Sequence, residues 1–119
     1  MSSDERRKAG RTAARLTVLL NNQESGRVLR VLTKNLSTRG ICVVMDKRLS
    51  TGTQLMVDLK LPDREAPLTV RGDVIWVRPV GGPRKSYEQP TMETGIRFLD
   101  LTMQELTAIK HGAAFYGFS

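Results

Sequence analysis

The sequence predicts a mainly β protein, a small six-stranded antiparallel β-barrel with a C-terminal α-helix. Three observations lead to this prediction. Short apolar segments alternate with polar residues, most clearly at Leu55, Val57, Leu59 and Leu61. Turn-forming residues separate these segments, and one helix-start signal stands near the C-terminus. Several short strands followed by one helix are typical of a small barrel that the helix packs on or closes.

The sequence between residues 16 and 45 predicts three strands. Residues 16–20 and the run from 28 toward 35 flank a turn-rich stretch, so they predict a hairpin. A turn centred between residues 23 and 24 would pair residues whose numbers sum to about 47. The apolar run 41–45 predicts a third strand.

The remaining strands follow in order. The alternation at residues 55–61 is the fourth strand, and residues 68–76 predict a fifth, with Gly72 as a bulge or a point of close approach. Residues 78–93 contain three prolines and two glycines, which predicts a loop. Residues 95–98 predict the sixth strand.

A capping box predicts where the helix begins. The Thr102 hydroxyl can accept from the Glu105 amide while the Glu105 side chain returns to the Thr102 amide. Apolar residues at helical spacing then predict the face that packs on the barrel. These residues are Met103, Leu106, Ile109 and Ala113.

The charge of the chain points to an anionic partner. A length of 119 residues fits one domain, and 39% hydrophobic with 26% charged residues is typical of a globular protein. The formal net charge is +7, which favours a nucleotide, a nucleic acid or an acidic protein face. Residues 1–14 are polar and basic, so they predict a flexible arginine-rich segment ahead of a barrel and helix at residues 15–119.

The residue content argues against several kinds of site. Cys42 is the only cysteine and His111 the only histidine, so neither an intramolecular disulfide nor a Cys/His metal cluster can form. A single cysteine favours a reducing compartment, and its place in an apolar run predicts a buried, inert thiol. There is no catalytic triad, P-loop or dinucleotide fingerprint, so we expect no enzyme, no catalytic residue, no metal and no cofactor. Without a signal-peptide core or a run of about 20 apolar residues, we expect a soluble cytoplasmic protein without membrane contact.

Two features carry chemistry. Arginines cluster at residues 6–15, and their planar forks of donors suit phosphate oxygens and the O6/N7 edge of guanine. Residues 35–40, Asn-Leu-Ser-Thr-Arg-Gly, form a polar break between two apolar strands. The hairpin register places Arg11 opposite Leu36 and beside Asn35, so we expect the two features to meet at one end of the barrel.

The motif Arg7-x-x-x-Arg11 followed by Asn35-x-Ser37-x-x-Gly40 resembles the two-part signature of PilZ domains, bacterial receptors for the second messenger cyclic di-GMP. Either half alone is weak, because RxxxR occurs by chance in basic proteins. The resemblance nevertheless covers nearly the whole chain. It extends to Arg15-Leu16-Thr17-Val18, Val74-Ile75-Trp76 and Gly95-Ile96-Arg97-Phe98.

The resemblance implies a role for each motif residue. Arg7 and Arg11 would clamp the ligand phosphates and guanine edges, and Asn35 would accept from the guanine N1–H or exocyclic amine. Ser37 would donate to, or order, a phosphate or base contact, and Gly40 would leave room for the ligand. The family admits Asp or Asn at position 35. The neutral Asn predicts weaker guanine pairing than Asp would give.

Further residues bear on stoichiometry and on the edge of the site. Arg6 precedes the first motif arginine, and in this family an arginine there favours two stacked ligand molecules over one, because a second phosphate pair needs a further cation. We therefore expect two molecules per chain. Lys8, Arg39 and Trp76 are additional candidates, for a phosphate contact, a neighbouring cation and an apolar wall respectively.

The resemblance implies a noncatalytic receptor in which the ligand orders the N-terminal segment and signals to an unidentified effector protein. Two alternatives stay open: a small basic barrel that binds nucleic acid, and a degenerate PilZ-like module that only contacts proteins. Six aromatic residues without strand-face alternation make a poor set of stacking platforms for nucleic acid. Taken singly, the arginines also fit a basic tail, residues 35–40 an ordinary turn, and Trp76 a core position.

Overall fold

A computed structural model of the chain describes residues 12–13, 15–81 and 91–117. Within these ranges the chain forms seven antiparallel strands and one helix. The strands are β1 (Thr12–Ala13), β2 (Thr17–Asn22), β3 (Arg27–Leu36), β4 (Gly40–Met45), β5 (Gln54–Leu59), β6 (Leu68–Val80) and β7 (Thr91–Leu99), and the helix is α1 (Met103–Gly117). Their order in the sheet is β1-β3-β2-β5-β6-β7-β4, and β4 pairs back with β3. Strands β2 to β7 therefore close a six-stranded barrel, which confirms the predicted fold class.

The barrel core consists of the apolar side chains at alternate strand positions. The alternation predicted for the fourth strand is confirmed, because its apolar residues and Leu61 are all buried. They pack against side chains from the neighbouring strands. The largest contributors with essentially no exposure are Val18, Leu20, Leu36, Val43, Val57, Leu59, Val74, Ile96 and Ile109. Burying each such side chain stabilises the fold by about 1.5–3 kcal/mol.

The hairpin of β2 and β3 turns one residue later than predicted. Val18 pairs with Val31 across the two strands, so the turn is centred after Glu24. Gly26 adopts a left-handed φ of 73°, and its N–H donates to the Asn22 carbonyl oxygen at 2.8 Å. Gly26 is the residue that adopts the left-handed conformation, so the turn extends as far as Gly26. The centre of the turn therefore lies one residue later than predicted, and the strand pairing shifts accordingly.

The N-terminal segment meets β3 as predicted, shifted by one position. Thr12 pairs with Leu36, and Ala13 pairs with Asn35. Arg11, predicted to lie opposite Leu36, is outside the described part of the chain together with residues 1–10. The short strand β1 therefore ends directly beside the motif residue Asn35.

The predicted loop at residues 78–93 is wrong at both ends. β6 continues to Val80 and β7 begins at Thr91, with Pro79 opposite Met92. Beyond Asp73, β6 pairs with β7 and with no other strand among the described residues. A proline is tolerated there because one side of the strand makes no ladder hydrogen bonds. The prolines and glycines therefore did not mark the boundaries of the loop.

Two bulges interrupt the strands that border β4 and β7. The pairing of β3 with β4 shifts at Lys34, and the pairing of β6 with β7 shifts at Ile75. A bulge inserts one extra residue, so the inward and outward positions exchange after it. Asn35 and Trp76, which directly follow the two bulges, consequently face outward.

Gly72 marks a close approach and not a bulge. A Cβ at this position would lie 2.8 Å from Cγ2 of Ile96 and 3.3 Å from Cγ2 of Val57. Both neighbours are buried in the core. Any side chain at Gly72 would displace them, so glycine allows β6 to cross the core at short range.

The predicted capping box of α1 is confirmed. The Thr102 N–H donates to Glu105 Oε1 at 2.8 Å, and the Glu105 N–H donates to Thr102 Oγ1 at 3.1 Å. The Leu106 N–H also donates to the Thr102 carbonyl oxygen at 3.0 Å. These bonds satisfy backbone donors that the first turn of a helix otherwise leaves unpaired.

The helix packs on the barrel through part of its predicted apolar face. Ile109 is fully buried, and Gly112 lies against Leu61. Met103 is 76% exposed, so its predicted place on the packed face is wrong, because the first helical residue stands ahead of the turns that reach the barrel. α1 also contacts β1. Among the described residues, no helix is both long and apolar enough to cross a bilayer.

The capping box gives a direct test of how the helix is stabilised. Replacing Thr102 by Ala removes the acceptor for the Glu105 N–H and should lower the free energy of unfolding by about 1 kcal/mol. Thr107→Ala is the matched control, because the Thr107 hydroxyl only donates back to the Met103 carbonyl oxygen. Its removal should change that free energy by less than about 0.5 kcal/mol. Urea denaturation measures both, and equal losses would contradict the capping role.

Candidate functional site

Four residues form a row across the outer face of the barrel. Asn35 on β3 pairs with Cys42 on β4, Cys42 pairs with Gly95 on β7, and Gly95 pairs with Trp76 on β6. We call these four residues the outer row. Adjacent residues on the same strands belong to the core: Leu36, Ile41, Val43 and Ile96. Since side chains alternate along a strand, the outer row faces away from the core.

The indole of Trp76 lies directly on Gly95. A Cβ on Gly95 would collide with Nε1 and Cε2 of the indole and would lie 2.8 Å from Cδ1. Any side chain at this position would therefore push the ring off the sheet. Trp76 is half-buried and does not belong to the barrel core, so it lies where a bound molecule can reach it.

Asn35 lies at the opposite end of the outer row. Its side chain is half-buried, and its backbone is enclosed between Ala13 on β1 and Cys42 on β4. Cys42 is 3% exposed, which confirms the predicted buried thiol. The outer row thus presents an amide and a flat aromatic ring, with a small buried residue and a glycine between them.

Ser37 organises the turn that follows Asn35. Its backbone N–H donates to the Gly40 carbonyl oxygen at 2.9 Å, and its buried hydroxyl oxygen accepts from the N–H of Arg39 at 3.1 Å and of Gly40 at 3.3 Å. The Ser37 hydroxyl is therefore hydrogen-bonded within the protein. Arg39, at the tip of the turn, is exposed. The structure thus shows Ser37 ordering this turn, and its predicted contact with a phosphate or base stays a prediction.

Gly40 is required by the barrel itself. A Cβ at Gly40 would collide with the backbone carbonyl oxygen of Ile96 on the paired strand β7. The turn is also anchored to β7, since the Phe98 N–H donates to the Arg39 carbonyl oxygen at 2.8 Å. Gly40 was predicted to leave room for a ligand. The structure shows a separate reason for a glycine here, which is the close approach of β7.

A buried carboxylate beside the outer row holds two cations. Glu93 is 4% exposed and lies opposite Arg78 in the pairing of β7 with β6. Its Oε1 accepts from Nε of Arg78 at 2.9 Å and from Nη2 at 2.7 Å, and its Oε2 accepts from Nζ of Lys34. We call these three residues the Glu93 cluster. Both cations are more than half exposed, so they form a positive border along the outer row.

The Glu93 cluster and the outer row meet at Trp76. Cζ of Arg78 lies 5.2 Å from the centroid of the indole ring, within the range of a cation–π contact. Lys34 directly precedes Asn35 at the other end of the outer row. One continuous surface therefore combines an amide, an aromatic ring and two exposed cations.

The electrostatics of the cluster keep Glu93 ionised. The hydrogen bond from Lys34, followed by those from Arg78, lowers the pKa of the Glu93 carboxyl, and this outweighs the opposing effect of burial. A charged acceptor forms stronger hydrogen bonds than a neutral one. Glu93 therefore holds both cations firmly at neutral pH.

The other edge of the outer row carries a compensated charge. Nε and Nη2 of Arg97 donate to the two carboxylate oxygens of Asp73 at 3.2 and 3.0 Å. Arg97 lies opposite Gly40 on β4 and opposite Asp73 on β6. The charges of Arg97 and Asp73 therefore cancel at this edge, whereas the two cations of the Glu93 cluster leave one net positive charge beside the row.

A separate groove of about 710 Å³ contains none of the predicted site residues. It is lined by residues 51–56 together with Gln23, Glu24, Arg71, Gly72 and Leu99. In the part of the chain that the structure describes, no group of three His, Cys, Asp or Glu side chains is arranged to hold a metal ion. The outer row is thus where the predicted residues and the exposed charge coincide.

The predicted site residues divide into two groups. Asn35, Ser37 and Gly40 come together at the end of β3 and the start of β4, and Trp76 lies on the same outer face. Arg6, Arg7, Lys8 and Arg11 lie outside the described residues, and their predicted roles stay predictions. The first described residue is Thr12, which pairs with Leu36, the residue after Asn35.

Sequence reasoning missed the Glu93 cluster and Gly95. Arg78 stands two residues after Trp76, a spacing that puts both side chains on one face of a strand. That signal was lost because the prolines and glycines of residues 78–93 predicted a loop. The pairing of Lys34 with Glu93 joins residues 59 positions apart, and no local pattern could indicate it.

The model of the PilZ domain family matches residues 5–114. The chain belongs to the PilZ domain family. The PilZ domain of YcgR from Escherichia coli, solved with c-di-GMP (cyclic di-GMP), is similar, with a TM-score of 0.72 at 13% identity over 89% of this chain and 87% of that one. A comparison with curated protein sequences found no match.

Two larger proteins contain a similar fold. The motility inhibitor MotI/DgrA of Bacillus subtilis matches with a TM-score of 0.66 at 19% identity, over 88% of this chain and 48% of its own. PlzA of Borreliella burgdorferi, solved in complex with c-di-GMP, matches with a TM-score of 0.56 at 13% identity, over 97% of this chain and 48% of its own. The chain therefore spans about half the length of these two proteins. At such low identity, these likenesses show the fold.

The Glu93 cluster gives this PilZ domain an acid-sensitive contribution to stability. Because the cations lower the pKa of Glu93 in the folded state, its contribution is present above the unfolded value, about 4.3, and is lost as the pH falls through the folded value. Glu93→Gln removes this titration. Between about pH 5 and pH 3, the unfolding free energy should fall more steeply in the wild type than in the variant.

Urea denaturation at a series of pH values measures this difference. Glu65→Gln is the matched control, because Glu65 is an exposed carboxylate in the loop between β5 and β6. It should leave the pH dependence close to that of the wild type. Parallel pH profiles for the wild type and Glu93→Gln would show that the cluster contributes nothing to the folded state.

Proposed function

We propose that this PilZ domain is a noncatalytic receptor for cyclic di-GMP, which binds across the outer row and is clamped by the N-terminal arginines. The observation that carries the proposal is the pairing of Thr12–Ala13 with Leu36 and Asn35. This pairing sets the residue that follows Arg11 beside the strand end that carries the Asn-x-Ser-x-x-Gly motif, which supports a clamp at that end. The c-di-GMP bound in the YcgR and PlzA structures supports the choice of ligand.

The chemistry of the surface suits such a ligand. Cyclic di-GMP carries two phosphate charges and two flat guanines, so it needs forked cations, stacking surfaces and base-edge partners. Arg7 and Arg11 would supply the forked cations, and the amide of Asn35 would accept from a guanine. The half-buried ring of Trp76 would serve as the apolar wall.

The remaining motif residues would shape and extend the site. Ser37 and Gly40 would act mainly by fixing the turn after Asn35, as their hydrogen bonds and close contacts favour. Arg6 would supply the cation that a second ligand molecule needs, which gives two molecules per chain. Lys8 would contact a phosphate, and the exposed Arg39 would add a neighbouring cation.

Ligand binding would be transmitted through the N-terminal segment. In the proposed mechanism, the arginines close on the ligand and order the part of the N-terminal segment that precedes β1 against the barrel. α1 contacts β1, so the helix is positioned to sense this change and present it to an effector protein. We place the receptor in the cytoplasm, where a lone cysteine stays reduced.

Titration calorimetry with cyclic di-GMP tests the receptor and its stoichiometry together, with GTP and cyclic AMP as negative controls. The wild type should bind two molecules per chain. The double variant Arg7→Ala/Arg11→Ala should lose more than about 100-fold in affinity, because each arginine makes charged hydrogen bonds to the ligand. Arg27→Ala/Arg64→Ala removes the same charge at exposed positions outside the outer row and should bind like the wild type.

Each other outcome has a definite meaning. Saturation at one molecule would refute the stoichiometry, and tight binding by the Arg7/Arg11 variant would refute the clamp. A salt-dependent gel shift on random duplex DNA that cyclic di-GMP leaves unchanged would favour the nucleic-acid alternative. Failure of the wild type to bind nucleotide or DNA would leave the protein-contact module.

A further inference from the structure

The guanidinium of Arg78 is held in place by hydrogen bonds to the buried carboxylate of Glu93. Nε and Nη2 both donate to the same oxygen of Glu93, at 2.9 and 2.7 Å. Glu93 is 4% exposed and lies directly opposite Arg78 in the strand pairing. Lys34 binds the second carboxylate oxygen from the β3 side. The carboxylate therefore cannot swing away without breaking three charged hydrogen bonds.

The same guanidinium lies over the ring of Trp76. The indole lies on Gly95 through Nε1, Cε2 and Cδ1, so one face of the ring is against the sheet. Cζ of Arg78 lies 5.2 Å from the ring centroid. A molecule that approaches the outer row at Trp76 therefore meets the guanidinium together with the indole.

Arg78 has capacity left for a ligand. A guanidinium has five N–H donors, and the contacts with Glu93 use Nε–H and a hydrogen of Nη2. The Arg78 side chain is 64% exposed. A planar cation with remaining donors can stack on a base and donate to a phosphate oxygen, whereas a lysine offers only a point charge.

We infer that Arg78 contacts the bound nucleotide, stacking its guanidinium on a guanine beside Trp76, and that Glu93 is the positioning residue that holds it there. This inference rests on the proposed function. It adds a ligand contact on β6 to the contacts expected from the N-terminal segment and from the end of β3. It also gives a role to a carboxylate that stands beside an anion-binding surface.

The direction in which Glu93→Gln changes the affinity for cyclic di-GMP distinguishes a positioning role of Glu93 from a purely electrostatic one. Glu93→Gln removes a negative charge close to the ligand and keeps the shape of the side chain. If Glu93 acted only through its charge, the variant would bind the dianionic cyclic di-GMP more tightly. If Glu93 positions Arg78, the variant should bind about 5- to 30-fold more weakly, because the guanidinium is no longer fixed.

A double-mutant cycle measured by calorimetry completes the test. Arg78→Met should weaken cyclic di-GMP binding by about 10-fold or more, and Arg78→Lys should recover only part of the loss because it lacks the planar group. In the Arg78→Met background, Glu93→Gln should cause no further loss. Arg64→Met is the control for charge, at an exposed loop position, and should change affinity less than about 2-fold.

Fluorescence reports the positioning without ligand. Trp76 is the only tryptophan of the chain, so its emission reads out this one surface. Acrylamide should quench it more strongly in Glu93→Gln and Arg78→Met than in the wild type, because the guanidinium no longer covers the ring. Arg64→Met should match the wild type, and circular dichroism of each variant identifies any that fails to fold.

The two levels of the proposal fail differently. A wild type that does not bind cyclic di-GMP would overturn the proposed function. A wild type that binds, with an unchanged Kd in folded Arg78→Met or Arg78→Lys, would overturn the inference alone. Tighter binding by Glu93→Gln would refute positioning by Glu93.

Discussion

The barrel closes through β7, and three glycines in and beside that strand leave space that a side chain would fill. Gly40 on β4 lies against the carbonyl oxygen of Ile96, and Gly72 on β6 lies against the Ile96 side chain. Gly95 on β7 itself leaves the space in which the Trp76 ring lies on the sheet. Close packing around β7 therefore depends on Gly40 and Gly72, and the position of the Trp76 ring on the outer surface depends on Gly95.

The outer surface then follows from two bulges and one buried charge. The bulges at Lys34 and Ile75 turn Asn35 and Trp76 outward into a single row with Cys42 and Gly95. Glu93 lies buried beside that row and holds one cation from β3 and one from β6. The strands that form the core thus also set the spacing between a polar amide, an aromatic ring and two exposed cations.

Much of the fold was predictable because its signals are local. Period-two alternation identified the strand at residues 55–61, and the Thr102/Glu105 spacing identified the start of α1. The hairpin turn was displaced by one residue, since only the backbone conformation at Gly26 decides the register. The end of β6 and the start of β7, within residues 78–93, were not predicted. Pro79 is compatible with a strand because it lies where β6 makes no ladder hydrogen bonds on one side.

The site was predictable only in part, for a related reason. The motif residues 35–40 are contiguous, so their turn could be read from the sequence and then placed beside β1 by hairpin register. The contacts among Lys34, Arg78 and Glu93 join three strands that the chain separates widely, and only closure of the barrel brings them together.

The most direct test of this account is nitrogen-15 NMR of the full chain during titration with cyclic di-GMP. The account predicts that shifts concentrate on the amides of Asn35, Cys42 and Gly95 and on the indole N–H of Trp76. The separate groove lined by residues 51–56 and Arg71 should stay unchanged. Shifts centred on that groove, with the outer row unmoved, would contradict the account.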